Sequence, residues 1–447
     1  MQYIPNIIFL IVLAAGIVFF AKNVQKLLRN IRLGKELNRS DNKSLRWKNM
    51  AKIALGQYKM VVRPVSGILH VVVYVGFIII NIEVLEIIID GIFGTHRVFG
   101  FMGGFYDFLI GSFEILAFLV FVAVIIFWLR RNVIRLKRFL SAEMKGWPKM
   151  DGNLILYFEM VLMTLFLVLN ATDYQLQLNG AAHYASAQGI VGAFPISQYL
   201  LPLFDGLSND ALIIIERGAW WAHIVGILIF LNYLYYSKHL HILLAFPNTW
   251  YAKLKPKGEL DNLQSVTDEV MLMMDPNADP FAAPPEGAED AGDPEKFGAS
   301  DVTDLNWVQL MNAYSCTECG RCTSECPANQ TGKKLSPRKI MMDTRDRLEE
   351  VGKNIDANGE FKDDGKQLLD DYITKEELWA CTTCNACVDA CPISIDPLSI
   401  IIEMRRYMVM EESSAPSDLN NAMTNIENNG APWPFNQMDR ANWVNEN

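Results

Sequence analysis

Five stretches of this 447-residue chain are each apolar for long enough to cross a bilayer as a helix, a task that takes roughly 17–25 residues. They are Pro5–Ala21, Val65–Ile89, Phe108–Leu129, Asn153–Asn170 and Ala219–Tyr236. With no water in the hydrocarbon to satisfy backbone polar groups, such segments must be helical. All five fall within residues 1–258. That half holds 25 Lys+Arg against 14 Asp+Glu, whereas residues 259–447 hold 15 against 36. An apolar, basic half joined to an acidic, polar half is not one soluble core. The acidic half also argues against nucleic-acid binding, which needs clustered Lys and Arg. The first stretch is not a signal peptide, because no basic residue precedes it and the charges follow it.

The loops set an orientation. Twelve Lys and Arg, from Lys22 to Arg63, lie between the first two stretches, opposed only by Glu36 and Asp41. Seven more, including Arg130, Arg131, Arg135, Lys137 and Arg138, lie between the third and fourth. The other two loops hold one Arg each, Arg97 and Arg217. Excess positive charge marks the cytoplasmic side. The expectation is a multi-pass protein of the cell inner membrane, with its N-terminus outside and everything after the fifth span in the cytoplasm. Ile190–Phe204, apolar but broken by Pro195 and Pro202, reads as an interfacial or partly buried segment rather than a sixth span.

The chain therefore divides into a transmembrane domain (1–258), an acidic linker (259–304), a globular helical domain (305–412) and a tail (413–447). The linker stretch DPNADPFAAPPEGAEDAGDPEKFG is too poor in apolar residues to offset its ordering entropy. The tail, with two Trp and three Pro, reads as having little regular structure and as a place for partner docking.

All eight Cys lie in the acidic half. Cys316, Cys319, Cys322 and Cys326 form C-x2-C-x2-C-x3-C followed by Pro327. Cys381, Cys384, Cys387 and Cys391 repeat it, followed by Pro392. This is the run of a two-cluster ferredoxin, in which the fourth Cys serves the other cluster. One [4Fe-4S] cluster is thus assigned to Cys316, Cys319, Cys322 and Cys391, the other to Cys381, Cys384, Cys387 and Cys326. A pair of zinc sites would need only C-x2-C pairs. A disulfide framework is the weaker reading of two such runs, and thiolate ligation places them in a reducing compartment. The 54 residues between the runs contain the helical stretch LSPRKIMMDTRDRLEEV.

Six His are present: His70, His96, His183, His223, His239 and His241. Intramembrane ionisable residues are functional candidates. His70 opens the second span on the basic side, His223 opens the fifth, and His241 ends it. Read as one helix, His223 and His241 are 18 residues and a whole number of turns apart, so they share a face about 27 Å apart along the axis. His70 then matches His241 in depth, and the natural bis-His site for a haem b bridges spans two and five. His223 is a candidate ligand for a second haem, with only His96 and His183 as partners on its side. His239, pointing away from His241 on that helix, reads as structural or as a neighbour of a propionate or quinone. The alternative for each is a hydrogen-bonded His at the head-group level.

Glu83, Glu86 and Asp90 share one face of span two, and Glu114 lies in the outer half of span three. Carboxylates there can relay the protons that quinone reduction requires. For Asp90 the better reading is a helix anchor. Glu159 in span four has no assigned role. Arg63, Arg405 and Arg406 read as surface or propionate contacts.

On these residues the membrane half resembles the gamma subunit of respiratory nitrate reductase and the related heterodisulfide reductase membrane subunit. That family carries a second His ten residues beyond the first on span two, where this chain has Ile80. The helical insert between the cysteine runs resembles the ferredoxin domains of succinate dehydrogenase iron–sulfur subunits and heterodisulfide reductase subunits. FGASDVTDLNWVQLMNAYSCTECGRC and LWACTTCNACVDACPISID extend that likeness. The fusion resembles membrane iron–sulfur oxidoreductases linked to electron-transfer flavoprotein and menaquinone. The resemblance implies an all-α protein: a five-helix cytochrome b bundle followed by an α-helical ferredoxin domain. It would pass electrons between a cytoplasmic redox partner, two [4Fe-4S] clusters, one or two haems b and membrane quinone. Larger relatives continue into cysteine-rich CCG domains. The expected partner is therefore a separate CCG-type subunit or an electron-transfer flavoprotein. The alternatives are a heterodisulfide-reductase-type catalytic subunit, or a cluster-carrying membrane sensor without haem.

Overall fold

A computed structural model describes residues 3–185, 189–275 and 296–445. The described residues are predominantly helical and contain no named strand, only two isolated bridges. Five helices are long and apolar enough to cross a membrane: α1 (Ile4–Ile31), α3 (Pro64–Phe93), α4 (Gly104–Asn132), α5 (Trp147–Leu178) and α6 (Asn209–Tyr233, continued by a 3-10 turn to Tyr236). A short helix α2 (Lys43–Met50) lies in the loop between the first two. Each expected span sits inside one of these helices. The chain is a membrane protein.

Local chemistry sets the ends. Pro64 occupies the first turn of α3, where its missing N–H costs nothing, and Gly94 closes the same helix at φ +72°. The Ser208 hydroxyl accepts the Ala211 N–H at the start of α6. Small residues then let helices approach. A Cβ on Gly76 of α3 would lie 2.5 Å from Val120 of α4, and one on Gly91 would lie 2.6 Å from the Phe9 ring of α1. Apolar residues of α3, α4 and α5 form one buried group around Ile110, Phe113, Ala117 and Phe166. Phe9, Trp220, Ile224 and Leu228 join α1 to α6 in another.

The fifth span does not run unbroken to His241. After the turn at Leu234–Tyr236, Ser237 is extended (φ −118°, ψ 149°), and its hydroxyl accepts the His239 N–H at 3.1 Å. Serine competes with the helix ladder in this way. A second 3-10 turn follows, and His241 opens a new helix, α7 (His241–Trp250). The whole-turn relation between His223 and His241 therefore fails. His239 does not point away from His241 either: their ring centroids are 5.2 Å apart.

The expected linker is partly structured where it is described. Helix α8 covers Gln264–Met274, and Ala299 and Val302 are buried in the core of the following domain. The bulk of the acidic stretch, 276–295, lies outside the described residues. Beyond it, α9 (Trp307–Ser315) leads into the first cysteine run, and α10 (Pro337–Asn358) forms the expected insert helix. Helix α11 (Pro397–Met410) follows the second run. The tail is more regular than expected. Helix α12 (Ser417–Asn429) presents Leu419, Met423 and Ile426 at helical spacing and ends on Gly430 at φ +66°, yet buries no residue.

The two halves share a core. Leu27 and Ile31 of α1 and Leu240 and Leu244 pack with Leu310, Tyr314, Ile340 and Leu348 of the cysteine-bearing half. Backbone bonds tie Lys35 to Leu305 (2.8 Å) and Trp307 (3.1 Å). The Asn30 amide donates to the Tyr314 hydroxyl at 2.9 Å. The cysteine-bearing half thus seats on the end of the bundle where the two most basic loops emerge.

Candidate cofactor sites

The two cysteine runs repeat in backbone as well as in spelling. The second residue after the leading Cys is left-handed in both, Glu318 at φ +54° and Thr383 at φ +56°. So is the fourth, Gly320 at φ +71° and Asn385 at φ +61°. This conformation is costly for non-glycine residues, so its repetition marks one loop shape used twice. Cys316, Cys319, Cys322, Cys387 and Cys391 line one small cavity. Cys326 and Cys384 are the thiol neighbours of Cys381, and Cys381 and Cys326 those of Cys387. Cys391 thus lies beside the leading thiols of the first run, and Cys326 beside Cys381 and Cys387 of the second.

The donor set suits a cluster. Burial pushes the Cys316 thiol up to about 12 and that of Cys391 to about 11. Such thiols become ligands only when a metal centre displaces their protons. Among the described residues no three His, Cys, Asp or Glu side chains close on a single ion. Backbone N–H groups already point at sulfur: Ile395 at Cys391 (3.3 Å) and Thr383 at Cys381 (3.4 Å). Bonds of this kind tune cluster potentials. Cys384 is the one exposed thiol among the eight.

Directly beneath the first run lies the histidine pair. The ring centroids of His70 and His241 are 6.3 Å apart. Two imidazoles bound on opposite sides of one metal, at about 2 Å each, hold their centroids roughly 6 Å apart. The His241 Nδ1–H donates to the Lys238 carbonyl at 3.1 Å. This fixes the ring and leaves Nε2 as its free lone pair, as a backbone carbonyl commonly does behind a ligating histidine. Burial holds His241 below its ordinary pKa, so it stays in the neutral, ligating form.

His70, His239 and His241 line a cavity of about 270 Å³ whose wall also includes Cys319 and Pro392. Arg130, Arg131 and Arg138 line it as well, and Nε of Arg131 and of Arg138 is buried without a partner. Guanidinium donors left open in this way suit an anionic group such as a haem propionate. The residues present therefore fit a bis-His haem. Arg63 does not reach this cavity. It donates instead to Ser324 (2.8 Å) and Glu325 (2.7 Å), tying α3 to the cysteine-bearing half. Arg405 donates to the carbonyls of Leu378 and Cys381, and Arg406 pairs with Glu403.

The other end of the bundle is built differently. His223 is buried, with its ring 6.0 Å from that of Phe166 and its Nδ1 unpartnered. His96, one expected partner, is bonded to Asp173 at 2.9 Å, and its ring lies 5.7 Å from that of His183 at a tilt of 53°. Arg97 also binds Asp173, and donates to Tyr106 (3.1 Å) and Asn170 (2.9 Å). Tyr106 in turn donates to Glu86 at 2.7 Å. A polar cavity of about 150 Å³ is lined by Glu83, Glu86, His96, Asp173 and His183. Glu83 leaves one carboxylate oxygen unpartnered. Asp90 anchors the helix end by accepting from Thr95 and from the Arg97 N–H. Glu114 accepts the N–H groups of Ile196 (2.8 Å) and Ser197 (3.0 Å), which pins the interfacial segment. Arg97, Tyr106 and Asp173 escaped the sequence reading because they belong to three different elements that only the fold brings together.

Comparison with known proteins bears on the cysteine-bearing half and on the chain's relatives. Residues 315–395 match the 4Fe-4S dicluster domain. The chain is 29% identical to the "Probable iron-sulfur-binding oxidoreductase FadF" of Bacillus subtilis, over 98% of its own length and 61% of the relative's. It is 25% identical to the "EtfAB:quinone oxidoreductase" of Syntrophomonas wolfei, over 92% of its length and 55% of the relative's. One of the subunits of the ferredoxin/F(420)H(2)-dependent CoB-CoM heterodisulfide reductase of Methanosarcina acetivorans is 36% identical over 26% of this chain and 60% of its own. The chain spans little more than half the length of the first two relatives. No solved structure matches it. The chain is thus a membrane-bound iron–sulfur protein related to iron–sulfur oxidoreductases and to heterodisulfide reductase subunits.

Proposed function

We propose that this chain is the membrane electron-transfer part of a quinone-linked oxidoreductase. The observation that carries the reading is the His70–His241 pair, 6.3 Å apart, facing a cavity whose wall includes Cys319. One [4Fe-4S] cluster would be held by Cys316, Cys319, Cys322 and Cys391, the other by Cys381, Cys384, Cys387 and Cys326. His70 and His241 would hold a haem b, and His223 is the candidate ligand for a second. Bound there, clusters and haem supply one-electron carriers, which let a two-electron donor deliver to a quinone in single steps.

The chain's own residues then do three things. The left-handed turns of both runs aim the thiols inward, and the N–H groups of Thr383 and Ile395 stabilise the sulfur charge. The Lys238 carbonyl fixes the His241 tautomer, while Arg131 and Arg138 offer charge to propionates. At the far end, Glu83, Glu86, His96 and Asp173 surround a polar cavity suited to handling the protons of quinone chemistry. The exposed Cys384 marks the end where a soluble partner would meet the chain. The name of the Syntrophomonas relative supports an electron-transfer flavoprotein there. The heterodisulfide reductase relatives support a separate CCG-type subunit. The basic loops on the cysteine side support placing that side in the cytoplasm, with the N-terminus outside the inner membrane.

The test is haem b, non-haem iron and sulfide per mole of anaerobically purified protein. One or two haems with eight irons are expected. Eight irons without haem would leave a membrane-anchored ferredoxin and overturn the cytochrome reading.

A further inference from the structure

One residue grips both kinds of candidate ligand. Lys238 precedes His239, and its carbonyl accepts the His241 Nδ1–H at 3.1 Å. Its ammonium reaches in the opposite direction, into the first cysteine run, and donates to Glu318. Glu318 sits between Cys316 and Cys319 in the left-handed conformation and is only 3% exposed. Its second oxygen takes Arg345 of α10 at 2.9 Å. The Lys238 ammonium also donates to the Pro148 carbonyl at 2.7 Å and lies 3.8 Å from Asp151. Asp151 accepts the Lys238 N–H at 3.1 Å and the Tyr233 hydroxyl at 2.5 Å. Pro148 and Asp151 belong to α5, Tyr233 to α6 and Glu318 to the cysteine loop, so several elements meet at one side chain.

We propose that the Lys238–Glu318 pair is a positioning clamp that sets the gap between the histidine site and the Cys316/Cys319/Cys322/Cys391 site. The inference rests on the proposed function above. Three observations support it. The pair is buried, so its geometry is held tightly. Glu318 occupies the left-handed turn that the first run shares with the second, so the pair grips a fixed point of the cysteine loop. A plain surface tie would need neither feature. The clamp is also joined closely to both ligand sets: Glu318 is the chain neighbour of Cys319, and the Lys238 carbonyl bonds the His241 ring itself. In the step it serves, a single electron lost by the cysteine site is gained by the histidine site, with no bond made or broken. Rates of such steps depend steeply on the gap, so a pair that fixes the gap controls the rate without touching either centre.

The experiment uses the full chain, purified anaerobically from membranes, as wild type, Lys238→Met, Lys238→Arg and Glu318→Gln. Haem and iron content, the electron paramagnetic resonance line shape of the clusters, and haem reduction after rapid mixing with a low-potential chemical donor are measured on each. Lys238→Met and Glu318→Gln are expected to slow haem reduction about tenfold or more, on the scale by which small misplacements cost rate, with a changed line shape for one cluster. Lys238→Arg, which keeps charge and reach, is expected to restore both readouts. Wild-type rates and line shapes in all three variants would overturn the clamp. So would an equal loss in Lys238→Arg and Lys238→Met, which would make the site one of packing alone. If Lys238→Met fails to accumulate, the isosteric Glu318→Gln decides alone by the same two readouts. Absence of haem from the wild-type protein would overturn the proposed function instead. The cluster line shape would then judge the clamp: shifted in Lys238→Met and Glu318→Gln but not in Lys238→Arg supports it, and unshifted in all overturns it.

Discussion

The two ends of the helical bundle carry the same residue types to opposite effect. At the cysteine end, His70 and His241 face each other across a cavity, with their polar needs met from behind or not at all. The arginines around them hold open donors. At the far end, His96 is already bonded to Asp173, and Arg97 is committed to Asp173, Tyr106 and Asn170. His223 stands apart against Phe166. A site that awaits a ligand leaves polar groups open, whereas a site that holds helices together closes them on one another. The cysteine end leaves polar groups open, and most of the far end closes them on one another.

Substitutions can break this contrast. The largest effect is expected from His70→Ala or His241→Ala. Each should abolish the optical signal of the haem at the cysteine end while all eight non-haem irons remain, and retention of that signal in both variants would remove the pair as ligands. His223→Ala should leave that same signal whole. If the protein carries two haems, its content should fall to one, measured by pyridine haemochrome. Arg97→Met removes the guanidinium from the buried Asp173 carboxylate and leaves it only His96 and Gln177. A loss of about 3–5 kcal/mol is expected, seen as a lower Tm in detergent with an unchanged haem spectrum. The smallest effect belongs to Lys26→Ala. It cuts a half-exposed pair with Asp356, and after solvent screening the cost should stay within about 1 kcal/mol.

The cysteine runs were wholly legible, because ligand spacing is local and the loop shape follows from it. The five spans were legible for a similar reason: a bilayer demands long apolar helices whatever surrounds them. The pairing of His70 with His241 was reached by matching depth, and depth survived although the single-helix phase argument did not. The break at Ser237 was illegible because YYSKHLH contains neither Gly nor Pro. A serine side chain, capping a turn that tertiary packing favours, was enough to end the helix. Arg97, Asp173 and Tyr106 were invisible for another reason. Their meeting depends on how two spans and a loop pack, and no single stretch of sequence carries that information. Lys238 carried no signal of its own, since its partners Pro148, Asp151 and Glu318 come from elements far away in the chain.

The shared core between Leu27, Ile31 and the cysteine-bearing half has a consequence for how the protein is made. Asn30 and Tyr314 bond across 284 residues of chain. At roughly 5–20 residues per second, a ribosome needs on the order of 15–60 s to deliver the second after the first. Throughout that interval the end of the first helix exists without those apolar partners. The metal-binding half therefore completes its interior only against a helix made well before it. Such an order ties assembly of the metal centres to a location: they are finished at the membrane, against a scaffold already in place.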